Sequence, residues 1–161
     1  MENIESLKKE YQKIKKDIIN RLETFQKTGS QGSDIDLFIE MVFCLLTPQA
    51  KARSCAEALD DLVHSKKLYI GNEKEISVRL NRTRFKNKKA EYIINVRNRF
   101  LKNGKVNLRS WLFKEKEAIR IRENLVKNIK GMGYKEASHY LRNIGLGHEM
   151  AILDRHVLKS L

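Results

Sequence analysis

Asn128-Ile-Lys-Gly-Met-Gly-Tyr-Lys-Glu-Ala-Ser-His-Tyr-Leu-Arg-Asn143 is the stretch that decides the fold of this 161-residue chain. Before it, Ala118, Ile121, Leu125 and Ile129 step by three or four; after it, Ala137, Tyr140, Leu141 and Ile144 do the same, so two amphipathic helices flank a short turn. Gly131 and Gly133 bracket a single residue, Met132, within that turn. Glycine enters positive-φ conformations that let successive backbone N–H groups point outward together, a geometry that suits a phosphate. Lys135 then falls in the first turn of the second helix, beside its positive end.

An ammonium is disfavoured at that end of a helix, and partial burial and neighbouring basic residues act in the same direction, so the sequence predicts an amine easier to deprotonate than an ordinary lysine. A neutral amine is a nucleophile. The plainer reading of Lys135 is a phosphate contact or a solvated side chain. Asp154 bears on the choice. It follows the apolar Ala151-Ile-Leu153 and precedes a helical pattern, Arg155 to Lys159, so it is placed to cap that helix and also to project a carboxylate from a fixed backbone. Brought back to the hairpin, that carboxylate could accept the lysine proton or stabilise positive charge at a sugar carbon.

Working outward, the chain reads as helix nearly throughout, and the fold class is all-α. Ile4, Leu7, Tyr11, Ile14, Ile18, Leu22 and Phe25 predict an outer first helix ending near Thr28-Gly29. Ser33 and Asp36 open the next element as a capping box, and Ile35 to Leu46 is apolar enough for a central buried helix. Further helices are expected over about 50–64, 73–80 and 90–101, with a basic loop over 81–87 that holds Arg82, Arg84 and Phe85. Asn103-Gly-Lys-Val-Asn107 reads as a linker, which divides the chain into 1–104 and a hairpin-bearing part, 105–161, of the same domain.

The formal charge of +13, from 33 Lys and Arg against 20 Asp and Glu, suits a polyanion, since each phosphate neutralised releases counterions. Anionic membrane surfaces or ribosomal RNA would also fit that charge, though neither accounts for the hairpin and the aspartate. Cys44 and Cys55 stand apart in separate apolar patterns and read as core thiols, not as a disulfide or a metal pair. Met1 leads directly into a charged amphipathic pattern, and the apolar run Met41 to Leu46 is far short of the roughly 20 residues that span a bilayer, so a cytoplasmic protein is expected.

The runs NIKGMGYKEASHYLRN at 128–143 and AILDRHVL at 151–158, with Arg84-Phe85 and Lys89-Ala-Glu-Tyr-Ile93, resemble the helix-hairpin-helix-GPD superfamily of DNA glycosylases, and within it the type 2, archaeal-type 8-oxoguanine DNA glycosylase/AP lyases. The resemblance runs from about residue 34 to the end. It implies a helix-hairpin-helix glycosylase fold and removal of 8-oxoguanine followed by cleavage of the abasic strand through a lysine Schiff base. It further implies that Lys135 is the nucleophile, that Asp154 is its carboxylate partner, and that Gly131, Met132 and Gly133 hold a backbone phosphate, with a monovalent cation at the hairpin. No other cofactor or metal is expected. Members of that family continue past the Asp-Arg-His motif with a further helical segment that helps recognise the oxidised guanine, so the C-terminal helices are expected to be lacking here.

Leu46-Thr-Pro-Gln-Ala50 departs from that pattern and resembles the endonuclease III branch, in which a glutamine fills the gap left by a flipped nucleotide. Gln49 is therefore a candidate wedge into DNA, and the alternative is that Pro48 and Gln49 simply begin a helix with proline in its first turn. Arg84 is a candidate DNA contact. Phe85 is a base-pocket candidate whose plainer reading is a loop or core anchor, and His139 reads as structural. The expected partner is double-stranded DNA carrying oxidised guanine or abasic sites, bound by a monomer. A non-catalytic DNA-binding module, or a glycosylase for another oxidised base, remains the alternative.

Overall fold

The computed structural model describes residues 2–153 and 158–159. Asp154 and His156 lie outside the described residues. In chain order the elements are α1 (Glu2–Gln31), α2 (Asp34–Leu46), α3 (Ala52–His64), α4 (Lys67–Ile70), α5 (Glu73–Arg79), α6 (Lys86–Phe100), β1 (Leu101–Lys102), β2 (Lys105–Val106), α7 (Arg109–Leu112), α8 (Ala118–Asn128) and α9 (Tyr134–Asn143). Among the described residues the all-α reading holds apart from one two-stranded ribbon of two residues a strand.

Helix α2 is the centre. Its mostly apolar sequence buries Leu37, Phe38, Met41, Val42, Cys44, Leu45 and Leu46, so neighbours must cover it on most sides. The capping box is formed: the Asp36 backbone N–H donates to the Ser33 hydroxyl at 3.2 Å, and the Ser33 N–H donates to the Asp36 carboxylate at 2.7 Å. Helices α1, α3, α6 and α9 pack against it. Residues of both halves of the chain, from Leu37 to Ile144, join one hydrophobic core.

The stretch read as a linker is instead a tight antiparallel hairpin, with Leu101 opposite Val106 and Lys102 opposite Lys105. Asn103 and Gly104 both take left-handed φ, 50° and 74°, as a type I′ turn requires, and the Asn-Gly pair carried that signal. The chain beyond it is anchored rather than loose. The backbone N–H groups of Leu108 and Arg109 both donate to the Asp34 carboxylate at the start of α2. The Arg109 guanidinium donates to the Gly29 and Gly32 carbonyls at the end of α1.

Helix α9 is fastened to α2 from inside. Tyr140 is wholly buried and its hydroxyl donates to the Leu37 carbonyl at 3.2 Å, while the Asn143 amide donates to the Glu40 carboxylate at 2.6 Å. Burial pushes the Glu40 carboxyl above its ordinary value, against the opposing effect of the Asn143 bond. No helix among the described residues is long and apolar enough to cross a membrane.

Candidate active site

Helices α8 and α9 form the hairpin that the sequence predicts, and the turn between them is built from both sides. Ile129 and Met132 are buried, and the Met132 N–H closes the turn on the Ile129 carbonyl at 3.1 Å. The Met132 side chain is therefore core, only 4% exposed, and the residue offers its backbone alone to a ligand. Gly131 has φ +88°, where a side chain would be strained, and a Cβ there would fall 2.3 Å from the Tyr92 ring of α6. Gly133 differs from the expectation. Its backbone is extended, with φ −88°, and the nearest atom to an added Cβ is the Glu136 carboxylate at 3.0 Å, so neither conformation nor packing within the chain demands glycine.

Lys135 follows in the first turn of α9, exposed and outside every ion pair among the described residues. The partial burial expected of it is absent. Glu136, next to it, turns back and accepts from the Gly133 N–H at 3.2 Å, satisfying one of the orphan donors of the helix start. One turn on, His139 packs edge-on against Phe43, with ring centroids 6.2 Å apart. Burial, then the charges of Arg142 and Lys135, push the His139 imidazole down to about 4, so it is neutral at physiological pH. That agrees with a structural role.

A cavity of about 230 Å³ opens beside the hairpin, and Pro48, Phe85, Lys88, Lys89, Tyr92, Gly131 and Glu136 are among its lining. Three features singled out separately in the sequence thus meet there: the hairpin through Gly131, the segment of the candidate wedge through Pro48, and the basic loop through Phe85. Phe85 is not core. It is 53% exposed, with φ 60°, and stands at the start of α6 with the Arg84 guanidinium 5.0 Å over its ring. Gln49 is exposed at the neighbouring turn with φ 52°, and α3 begins only at Ala52, so the reading of Pro48 as a first helical residue is incorrect. Phe85 in the cavity lining and Gln49, next to the lining residue Pro48, are both held in the left-handed region, strained conformations of the kind that cluster at functional sites.

Sequence reasoning missed α6 as the element that fixes this arrangement. Lys89 is 3% exposed, and its Nζ donates to the Pro48 carbonyl at 2.9 Å. Glu91 pairs with Lys130 of the hairpin, and those contacts with Lys130 and then Lys88 hold its carboxyl down to about 2. Tyr92 packs on Gly131. The signal was present: Lys89 lies four residues before Ile93 and seven before Val96, on the apolar face of α6, where an unpartnered lysine would not be tolerated.

The α8–turn–α9 hairpin within an all-α fold defines a helix-hairpin-helix protein. The family model for 8-oxoguanine DNA glycosylase matches residues 18–161. The chain is 38% identical over 160 residues to the 8-oxoguanine DNA glycosylase/AP lyase of Fusobacterium nucleatum, covering 99% of this chain and 74% of that one. It is 35% identical over 152 residues to the enzyme of the same name from Sulfolobus acidocaldarius, covering 93% and 71%. Among solved structures, the 8-oxoguanine DNA glycosylase of Thermotoga maritima superimposes with a TM-score of 0.81 at 33% identity, over 99% of this chain and 73% of that one. The Methanocaldococcus jannaschii 8-oxoguanine glycosylase/lyase in complex with a 15mer DNA containing 8-oxoguanine gives 0.82 at 30% identity, over 99% and 74%. The chain belongs to the 8-oxoguanine DNA glycosylase family.

Proposed function

We infer that this protein is a base-excision repair enzyme, a glycosylase that removes 8-oxoguanine from duplex DNA and then cleaves the abasic strand. Family membership supports the activity; the observation that carries the site is the exposed Lys135 in the first turn of α9, directly after a hairpin whose Gly133 has no internal reason to be glycine. An external group approaching that backbone closely, such as a phosphate, supplies the reason. The N–H groups of the first turn and the helix dipole favour an anion there.

Lys135 is then the nucleophile. As its amine bonds to C1′ of the damaged nucleotide, the bond from C1′ to the base breaks and the base leaves. Opening of the sugar ring gives an imine, and loss of a C2′ proton expels the 3′ phosphate. Asp154 takes up the lysine proton and balances the charge developing at C1′. Met132 and Gly131 shape the phosphate-holding turn, Arg84 contacts the strand, and Phe85 supplies an aromatic wall for the extruded base. Gln49 fills the space that the base vacates. Main-chain carbonyls of the hairpin, hard oxygen donors, suit a monovalent cation shared with the phosphate. The protein acts as a monomer in the cytoplasm.

Borohydride trapping tests the reading, because only an imine joining amine to sugar is reducible to a stable adduct. The wild-type protein is expected to be trapped on a duplex with an 8-oxoguanine or preformed abasic site, with the attachment at Lys135. Lys135→Gln should bind but not trap. An adduct at another lysine would overturn the Lys135 assignment, and tight binding with no adduct on either substrate would favour a non-catalytic hairpin module.

A further inference from the structure

We propose that Lys89 is a positioning residue for strand entry: it acts through the Pro48 carbonyl to hold Gln49 in the conformation that enters the duplex. The inference rests on Gln49 being the wedge. Lys89 reaches across 41 residues of sequence to bond Pro48 at 2.9 Å from within the core. A second buried donor acts on the same segment, the Cys55 thiol donating to the Leu46 carbonyl at 3.2 Å. The turn closes with the Ala50 N–H on the Thr47 carbonyl at 3.1 Å, and the Thr47 hydroxyl donates to the Cys44 carbonyl at 3.0 Å. Between these fixed points Gln49 is carried at φ 52°, exposed.

A buried ammonium is costly unless it is well hydrogen-bonded, and an apolar side chain at 89 would fill the same space without that cost. Burial pushes the Lys89 ammonium below the ordinary lysine value, which is the mark of that expense. Its gain is the Pro48 bond, which ties the ammonium to the carbonyl of a half-buried turn residue. The same helix carries Tyr92, one turn on, against Gly131 of the hairpin. Helix α6 therefore reaches both the wedge turn and the phosphate-holding turn, and sets their separation through Lys89 and Tyr92, neighbours on one of its faces.

The test compares affinity for a duplex with a tetrahydrofuran abasic analogue against the same duplex undamaged, by fluorescence anisotropy, for wild type, Gln49→Ala, Lys89→Met and the double variant, with a thermal melt of each. Lys89→Met is expected to lose affinity for the abasic duplex by about tenfold, the size of one charge-assisted hydrogen bond, with undamaged binding and melting temperature kept. The double variant should bind no worse than Gln49→Ala alone, because residues acting through one element are not additive. If Lys89→Met fails to fold, Lys89→Gln, too short to reach Pro48, is read in the same way. Equal loss on both duplexes, additive losses in the double variant, or no loss at all would overturn the proposal. If only Gln49→Ala shows the selective loss, the wedge stands and the Lys89 role falls; if Gln49→Ala is neutral, both fall.

Discussion

The ring of Tyr92 lies against the Cα of Gly131, so closely that a Cβ on the glycine would sit 2.3 Å from the ring edge. This contact makes Gly131 a structural glycine and leaves Gly133 a different kind of position. Gly131→Ala adds both a strained φ and an overlap, and is expected to destabilise the protein by about 1–3 kcal/mol, with partial recovery in Gly131→Ala/Tyr92→Ala. The Cβ that Gly133→Val adds meets only the end of the Glu136 side chain, so melting temperature and helical content should stay near wild type while damaged and undamaged duplexes both bind less tightly. Denaturant melts and a salt series of binding isotherms separate the two.

Asp154→Asn keeps a helix cap and removes the charge. Base release in single turnover should slow by at least tenfold, about 1.4 kcal/mol of transition-state stabilisation, while binding persists. A smaller effect would make Asp154 a cap alone.

Gln49→Ala should leave affinity for ordinary duplex unchanged and weaken binding to a duplex with an abasic or flipped nucleotide, because the wedge acts only where a vacancy exists. Equal weakening on both, measured side by side, would remove the wedge assignment.

His139 is held down to about 4 in the folded chain against about 6.5 in an unfolded one, so between those values the unfolded state binds more protons. Its contribution to stability is full above about pH 6.5 and is lost as pH falls toward 4. His139→Gln should flatten the fall in denaturant midpoint over that window, and a slope unchanged by the substitution would contradict the assignment.

The sequence by itself determined what short-range chemistry can encode. Period-3.6 stripes marked the helices, Ser33 and Asp36 marked the start of α2, and the glycines at 131 and 133 with Lys135 marked the hairpin, since each signal lies within a few residues of the structure it specifies. The Asn103-Gly104 turn was equally local and was misread as a linker, because two residues on each side give too little alternation to register as strand. What only the tertiary structure decided is which distant groups meet. Asp34 caps the chain at Leu108 and Arg109, Tyr140 bonds Leu37, and Lys89 bonds Pro48, pairings set by how helices pack around α2 and not by any spacing along the chain. The cavity is of the same kind: Phe85 was legible as an aromatic in a basic loop, but its exposure beside Pro48 and Gly131 follows from α6 lying across both turns, a fact of packing that no local pattern contains.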